Sequence, residues 1–307
     1  MYTKKDFSAE IKKKAIELGF QDCGISKAEF LEEASENLKK WLEKGYQAGM
    51  KYMENHFEKR TDPGKLVDGA KSVISVILNY FPSQKQAEET YRISKYAYGE
   101  DYHFVLKRKL KELMKFIQQE NPGTEGRAFV DSAPVMDREW AQRSGLGWIG
   151  KHSLLINKNL GSFVFIGELI VTCELEYDAP IQDYCGTCTR CMDSCPTSAI
   201  VQPKVVDSNK CISYHTIENK GEIPGNLKET FQNYIFGCDI CQDVCPWNNK
   251  KILTTEPAFA IKDNLMQLGK RDFENMDETR FKELFGKSAL MRTGLKGLRR
   301  NIDFVKT

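Results

Sequence analysis

The sequence predicts an α+β fold. An α/β-like first domain carries an inserted small cysteine-rich module, and a helical segment closes the chain. Three observations predict it. Helix-period and strand-period apolar patterns alternate through residues 1–178. Eight of the ten cysteines then fall between Cys185 and Cys245. Beyond them, Leu295, Leu298, Ile302 and Val305 recur at helical spacing. The expected boundaries are 1–178, 179–250 and 251–307.

The elements follow in order. Phe7, Ile11, Ala15 and Leu18 mark a helix over 4–19, closed by Gly19. A short strand surrounds Cys23-Gly24-Ile25, and a charged helix runs from about 28 to 44, ending at Gly45. Residues 72–80, SVISVILNY, form an unbroken β-prone run, expected to be buried on both faces. Leu106, Leu110, Leu113 and Ile117 put a helix over 102–118. Phe129-Val130 reads as a strand end, 137–143 as a helix, and 153–157 with 162–173 as β-rich. The Asp-Ala-Pro at 178–180 ends the domain, and roughly 180 residues suffice for an independent core.

The cysteine blocks carry the chemistry. The first reads Cys185-Gly-Thr-Cys188-Thr-Arg-Cys191-Met-Asp-Ser-Cys195-Pro196, the run of two-cluster ferredoxins, whose fourth cysteine serves the other cluster. The second, Cys238-Asp-Ile-Cys241-Gln-Asp-Val-Cys245-Pro246, ends the same way, with Cys211 displaced upstream. Crossing the fourth cysteines gives Cys185, Cys188, Cys191 with Cys245, and Cys211, Cys238, Cys241 with Cys195. Two 4Fe-4S clusters in a ferredoxin-like module therefore use all eight. A zinc ribbon would leave thiols unexplained. Disulfides do not suit a chain that opens MYTKKDF without an apolar signal segment, which is expected in a reducing cytoplasm. A radical-SAM C-x3-C-x2-C is absent from the sequence. Cys23 and Cys173 are expected to be buried free thiols.

Composition excludes some classes. No apolar run approaches the roughly 20 residues of a membrane span, and a net charge of +2 makes the whole molecule no polyanion binder. Local charge differs, since residues 286–307 hold six basic side chains against Asp303 alone. That segment is either a solvated helix face or a phosphate-contacting patch. Gly145-Leu-Gly147-Trp-Ile-Gly150 matches the dinucleotide fingerprint, but a helix precedes it and β-structure follows. The order a pyrophosphate site needs is reversed, so a tight turn is expected instead. Asp131, at a strand end, is either a turn cap or a partly desolvated proton donor with a raised pKa. Asp101-Tyr-His103 begins like the D-x-H-x-x-G of corrinoid proteins, but position 106 is Leu, so no axial histidine is expected.

The combined pieces resemble the epoxyqueuosine reductase family. The matching stretches are Glu58-Lys-Arg60-Thr-Asp-Pro63, Tyr98-Gly-Glu-Asp-Tyr-His103, Val130-Asp131-Ser132, Asp137-Arg138 and Gly145–Ile156. The cysteine array, Lys210-Cys211-Ile-Ser213-Tyr and Lys220-Gly221 continue the match. The resemblance implies reduction of epoxyqueuosine to queuosine at the tRNA wobble position. It implies base-off cobalamin between the first domain and the cluster module, without a protein ligand on cobalt, near Arg60, Asp131, Lys151, His152, Leu155 and Ser213. Asp131 would be the proton donor. Two clusters would relay electrons from a donor such as a flavodoxin or ferredoxin, in a monomer away from membranes. The short form, lacking a C-terminal helical-repeat region, would hold tRNA by Lys220, Arg292, Lys296, Arg299 and Arg300. The competing expectations are a reductive-dehalogenase-like corrinoid enzyme acting on a small molecule, and a simple electron carrier.

Overall fold

A computed structural model describes residues 3–250, 252–261 and 263–306. Its centre is a four-stranded sheet in the order Asp22–Lys27, Ser72–Asn79, Val164–Val171, Gly126–Phe129, with every pairing antiparallel. All eight residues of Ser72–Asn79 are buried. Helices on both faces explain this. The helices Lys4–Glu17 and Tyr102–Glu120 cover one face, where Phe7, Ile11, Leu106 and Leu110 meet Ile74, Val76 and Leu169. On the other, Leu31 and Trp140 meet Val73 and Ile170, while Ala141, Leu146 and Leu155 meet Ile77. The unbroken apolar run thus reflects two covered faces in an antiparallel sheet.

Local chemistry sets the helix ends. Thr3 caps the first helix by accepting from the Asp6 amide, and Gly19 follows its end at φ +92°. Asp101 caps Tyr102–Glu120 by accepting from the His103 amide at 3.0 Å. That cap fixes where the helix starts, and so where Tyr102 and His103 point.

The fingerprint-like glycines serve packing. Trp148–Ile149 pairs antiparallel with Leu155–Ile156, and a Cβ on Gly147 would lie 2.3 Å from the Ile156 carbonyl oxygen. Backbone approach, rather than a pyrophosphate, requires glycine here. Gly147→Ala should therefore cost about 1–3 kcal/mol of stability, read as a lowered midpoint in thermal or denaturant unfolding.

The C-terminal helices share a core with two earlier segments. Phe273, Phe281, Leu295, Leu298 and Ile302 pack with Tyr91, Tyr98, Ile212, Phe231 and Phe236. Asn301, fully buried, donates to the Thr216 and Ile235 carbonyls at 2.8 Å each. Lys95, itself buried, reaches Asp239 at 3.3 Å and Asp243 at 2.6 Å, beside Cys238 and Cys241. These contacts fix the cysteine module against the first domain, because removing one partner of a buried ion pair leaves an uncompensated charge. Among the described residues no helix is long and apolar enough to cross a membrane.

Candidate functional site

Asp131 stands in the turn after the strand Gly126–Phe129, at φ +52°. This left-handed conformation is uncommon outside glycine, and Asp tolerates it better than most side chains. Three groups meet its Oδ2. Tyr102 Oη donates at 2.5 Å, His103 Nε2 lies at 3.2 Å, and Arg292 Nη1 at 3.6 Å. The Tyr102 ring stacks on Phe165 with centroids 4.2 Å apart and planes within 6°, which aims its hydroxyl. Asp101 Oδ1 holds His103 Nδ1 from behind at 2.6 Å. About half of the Asp131 side chain, 49%, remains open to solvent.

These neighbours decide the protonation states. Burial alone would raise the Asp131 pKa, but the hydrogen bonds from His103 and Tyr102, with the charges of His103 and Arg292, hold it at about 2. The expected raised value is thus corrected: the donors arrive from a helix start 28 and 29 positions upstream. For His103, burial and Arg292 favour the neutral ring, yet the bonds to Asp101 and Asp131 push the imidazole above its ordinary value. Tyr102 is driven upward, first by burial and then by Asp131, and stays a neutral donor.

Beside this group lie buried polar atoms without protein partners. They are Arg60 Nε, His152 Nε2 and Ser153 Oγ, while the buried Asp137 and Glu168 carboxyls turn to each other. Glu168, on the central strand, is fully buried, and burial with Asp137 close by raises its pKa well above the ordinary range. Burial likewise pushes Asp137 up to about 7. His152 is lowered to about 4 by burial and Arg138, so its ring is neutral. Orphaned donors and acceptors need a partner. A corrin, edged by amides that both donate and accept, is a ligand of matching chemistry, and the residues present fit it.

Of the residues expected at a corrinoid, Arg60 and Asp131 are electrostatic neighbours of Asp137, and His152 neighbours Arg138. Lys151 reaches Gly186 at 2.7 Å, which ties it to the cysteine module. Leu155 is buried against Ile77, and Ser213 donates its amide to the Cys211 thiol. Sequence reasoning missed Tyr102, His103 and Glu168 as members of the site. The D-x-H spacing at Asp101 was the available signal for the first two.

Cys185, Cys188, Cys191 and Cys245 line one cavity of about 90 Å³ with Lys151, His152 and Trp247. Cys195 is instead an electrostatic neighbour of Cys211, Cys238 and Cys241. The two sets are those that the crossed spacing gives. Burial pushes the Cys191 thiol up to about 11 and those of Cys238 and Cys241 further, so loading iron must expel these protons. Cys23 is buried as expected, whereas Cys173 is only partly so, because it lies just past the strand Val164–Val171 where the sheet meets solvent.

The basic residues do not form the single face expected of them. Arg292 precedes the terminal helix Gly294–Val305 and turns to Asp131. Arg300 donates to the carbonyls of Asn219, His215 and Gly221 at 2.5, 2.7 and 2.9 Å, and Arg299 to Met276 at 2.9 Å. Carbonyls left over by neighbouring turns capture these guanidiniums. Lys220 and Lys296 are exposed.

Residues 184–248 match the 4Fe-4S double cluster binding domain, and residues 60–132 match the epoxyqueuosine reductase QueG family, DUF1730. A two-cluster module joined to a carboxylate held by proton donors defines an iron–sulfur oxidoreductase. The epoxyqueuosine reductase of Cellulophaga algicola is 58% identical over 306 of this chain's 307 residues and 100% of that one. The chain belongs to the epoxyqueuosine reductase family. An epoxyqueuosine reductase crystal structure with an epoxyqueuosine-modified tRNA-Tyr stem loop superposes with a TM-score of 0.90 at 30% identity, over 97% of this chain and 80% of that one. A catabolic reductive dehalogenase, NpRdhA, shares only the fold, at 18% identity and a TM-score of 0.53 over 98% of this chain and 38% of that one.

Proposed function

We propose that the chain reduces the epoxide of epoxyqueuosine in tRNA to the alkene of queuosine, with Asp131 delivering a proton to the leaving oxygen. The observation that carries this reading is the half-open Asp131 carboxylate, gripped on one oxygen by Tyr102, His103 and Arg292. The related structure with bound stem loop supports tRNA as the substrate. The small-molecule alternative rests on a likeness of fold alone.

Arg60, Asp137, His152, Ser153 and Glu168 would hold a base-off cobalamin, with Lys151, Leu155 and Ser213 where the first domain meets the cysteine module. The two cysteine sets would hold clusters that supply single electrons from a small donor protein, and a bound corrinoid would supply the reducing power at the epoxide. The protein's own part is protonic and positional. Tyr102 and Arg292 fix the carboxylate rotamer, and the buried carboxyl pair Asp137–Glu168 holds a proton rather than two charges. Asp131 releases its proton as the carbon–oxygen bond breaks. In this reading residues 1–178 bind the corrinoid, 179–250 carry the clusters, and 251–307 fasten the two together. The enzyme works in the cytoplasm as a monomer.

For tRNA, the exposed Lys220 and Lys296 are the phosphate contacts, and Arg299 joins them by exchanging the Met276 carbonyl for a phosphate. Arg292 serves the reacting end, and Arg300 shapes the surface by gathering loop carbonyls. Each phosphate contact adds about 0.7–0.9 to the slope of log affinity against log salt. Neutralising Lys220, Lys296 and Arg299 to Gln should flatten that slope by about two and weaken tRNA binding, with cluster and corrinoid absorption unchanged. An unchanged slope would make these residues a solvated face and move the tRNA contacts to the cluster module.

A further inference from the structure

Deoxygenating an epoxide to an alkene consumes two electrons and two protons. Both carbon–oxygen bonds break, a carbon–carbon double bond forms, and the oxygen leaves as water. The electrons come from the reductant through the clusters. A single carboxyl holds at most one of the protons, and Asp131 holds none while three donors crowd its Oδ2. The proton must therefore be stored on a neighbour and handed over.

We propose that His103 stores that proton and passes it to Asp131, with Asp101 fixing the imidazole so that Nε2 always faces the carboxylate. This rests on Asp131 being the proton donor of the reaction. The geometry makes a line. Asp101 Oδ1 lies 2.6 Å from His103 Nδ1, and His103 Nε2 lies 3.2 Å from Asp131 Oδ2. The ring is itself buried, only 5% exposed, so it is held rather than mobile. Asp101 is also the helix cap, which accepts the His103 amide at 3.0 Å and locks the backbone behind the ring.

The charged and titratable groups facing the imidazole are Asp101 and Tyr102 from its own helix start, Asp131 from the turn after the sheet, and Arg292 from the turn before the terminal helix. Arg292 Nη2 lies 2.7 Å from His103 Nδ1 and also against Nε2, so this donor draws back toward Asp131 as the ring takes up its proton. Burial and Arg292 oppose the imidazolium, the two carboxylates favour it, and the balance lies with the carboxylates. In the resting state the imidazolium carries Nδ1–H toward Asp101 and Nε2–H toward Asp131. Transfer moves the Nε2 proton to Asp131 and leaves a neutral ring whose Nδ1–H stays on Asp101. Asp131 then donates to the epoxide oxygen and returns to carboxylate. The second proton enters from solvent. Tyr102 is the poor alternative store, since burial and Asp131 both oppose its ionisation. His103 is thus a positioning and proton-supplying residue that acts through Asp131.

The test uses full-length, cluster-loaded protein with two readouts. Imidazole NMR titration, which needs no substrate or corrinoid, should place the His103 pKa above the ordinary 6.5. That value should fall in Asp131→Asn and in Asp101→Asn, which keeps the helix cap. Single-turnover rates should then fall as pH rises through the raised His103 value. In His103→Gln the rate at about pH 8 should drop roughly 10²-fold. Its deficit should shrink by about tenfold for each pH unit of acidification, because Asp131 then takes its proton from solvent. A merely structural histidine would lower the rate equally at every pH. Should His103→Gln fail to load clusters, Asp101→Asn carries the same test, by moving the alkaline limb to lower pH. A wild-type His103 pKa at or below 6.5, or a pH-independent deficit, overturns the relay. An active Asp131→Asn enzyme overturns instead the assignment of Asp131, on which the relay rests.

Discussion

Asp131→Asn should keep both clusters and its corrinoid absorption yet lose about 10²–10⁴-fold of turnover, the usual cost of removing a general acid. The asparagine carbonyl still accepts from Tyr102, so the turn and the ring stack behind it should survive. What disappears is a group that binds and releases a proton at the reacting oxygen. The substitution also removes the charge that Arg292 meets at 3.6 Å, so a small change in tRNA affinity should accompany the loss. Rapid-mix measurement of a single turnover separates the two effects. Near-normal rates across pH would return Asp131 to the role of a turn cap.

Cys195→Ser and Cys245→Ser should each abolish turnover while removing only one cluster, and in each case the cluster lost is that of the other block. Cys195 is a neighbour of Cys211, Cys238 and Cys241, while Cys245 lines the cavity of Cys185, Cys188 and Cys191. Iron content should fall to about half in both variants, because a 4Fe-4S cluster needs its four thiolates. Turnover should fall below detection, since breaking either cluster interrupts the only electron path. Pairing each single substitution with Cys188→Ser or Cys238→Ser fixes the assignment. Cys245→Ser with Cys188→Ser should retain one cluster, whereas Cys195→Ser with Cys188→Ser should retain none. The reverse pattern would mean uncrossed ligation.

Much of this was legible in the sequence because it is local. Cluster spacing is written within a few residues, and the helices around Leu106 and Leu298 declare themselves by period. The helix Asp137–Arg143 falls where the pattern placed it, ahead of the glycine turn that argued against a dinucleotide site. What escaped is non-local. Nothing near Asp131 in sequence reveals that Tyr102 and His103 will meet it, so the direction of its pKa shift was misjudged. Glu168 is hidden inside the apolar run VFIGELIV, where one acidic residue reads as the solvent side of a strand. Only the covering helix Asp137–Arg143 makes it a buried carboxyl. The carbonyl contacts of Arg300 escaped for a related reason: a basic helix position looks solvated until loop carbonyls close over it.

This chain is expected to deoxygenate a tRNA-borne epoxide with a proton delivered by Asp131. The most direct test incubates epoxyqueuosine-containing tRNA with reduced, cluster- and cobalamin-loaded protein, then digests the tRNA and weighs its nucleosides by mass spectrometry. Epoxyqueuosine should be replaced by queuosine, lighter by one oxygen atom, with wild-type protein and not with Asp131→Asn. Persistence of epoxyqueuosine in the presence of wild-type protein whose clusters and corrinoid are demonstrably reduced would contradict it.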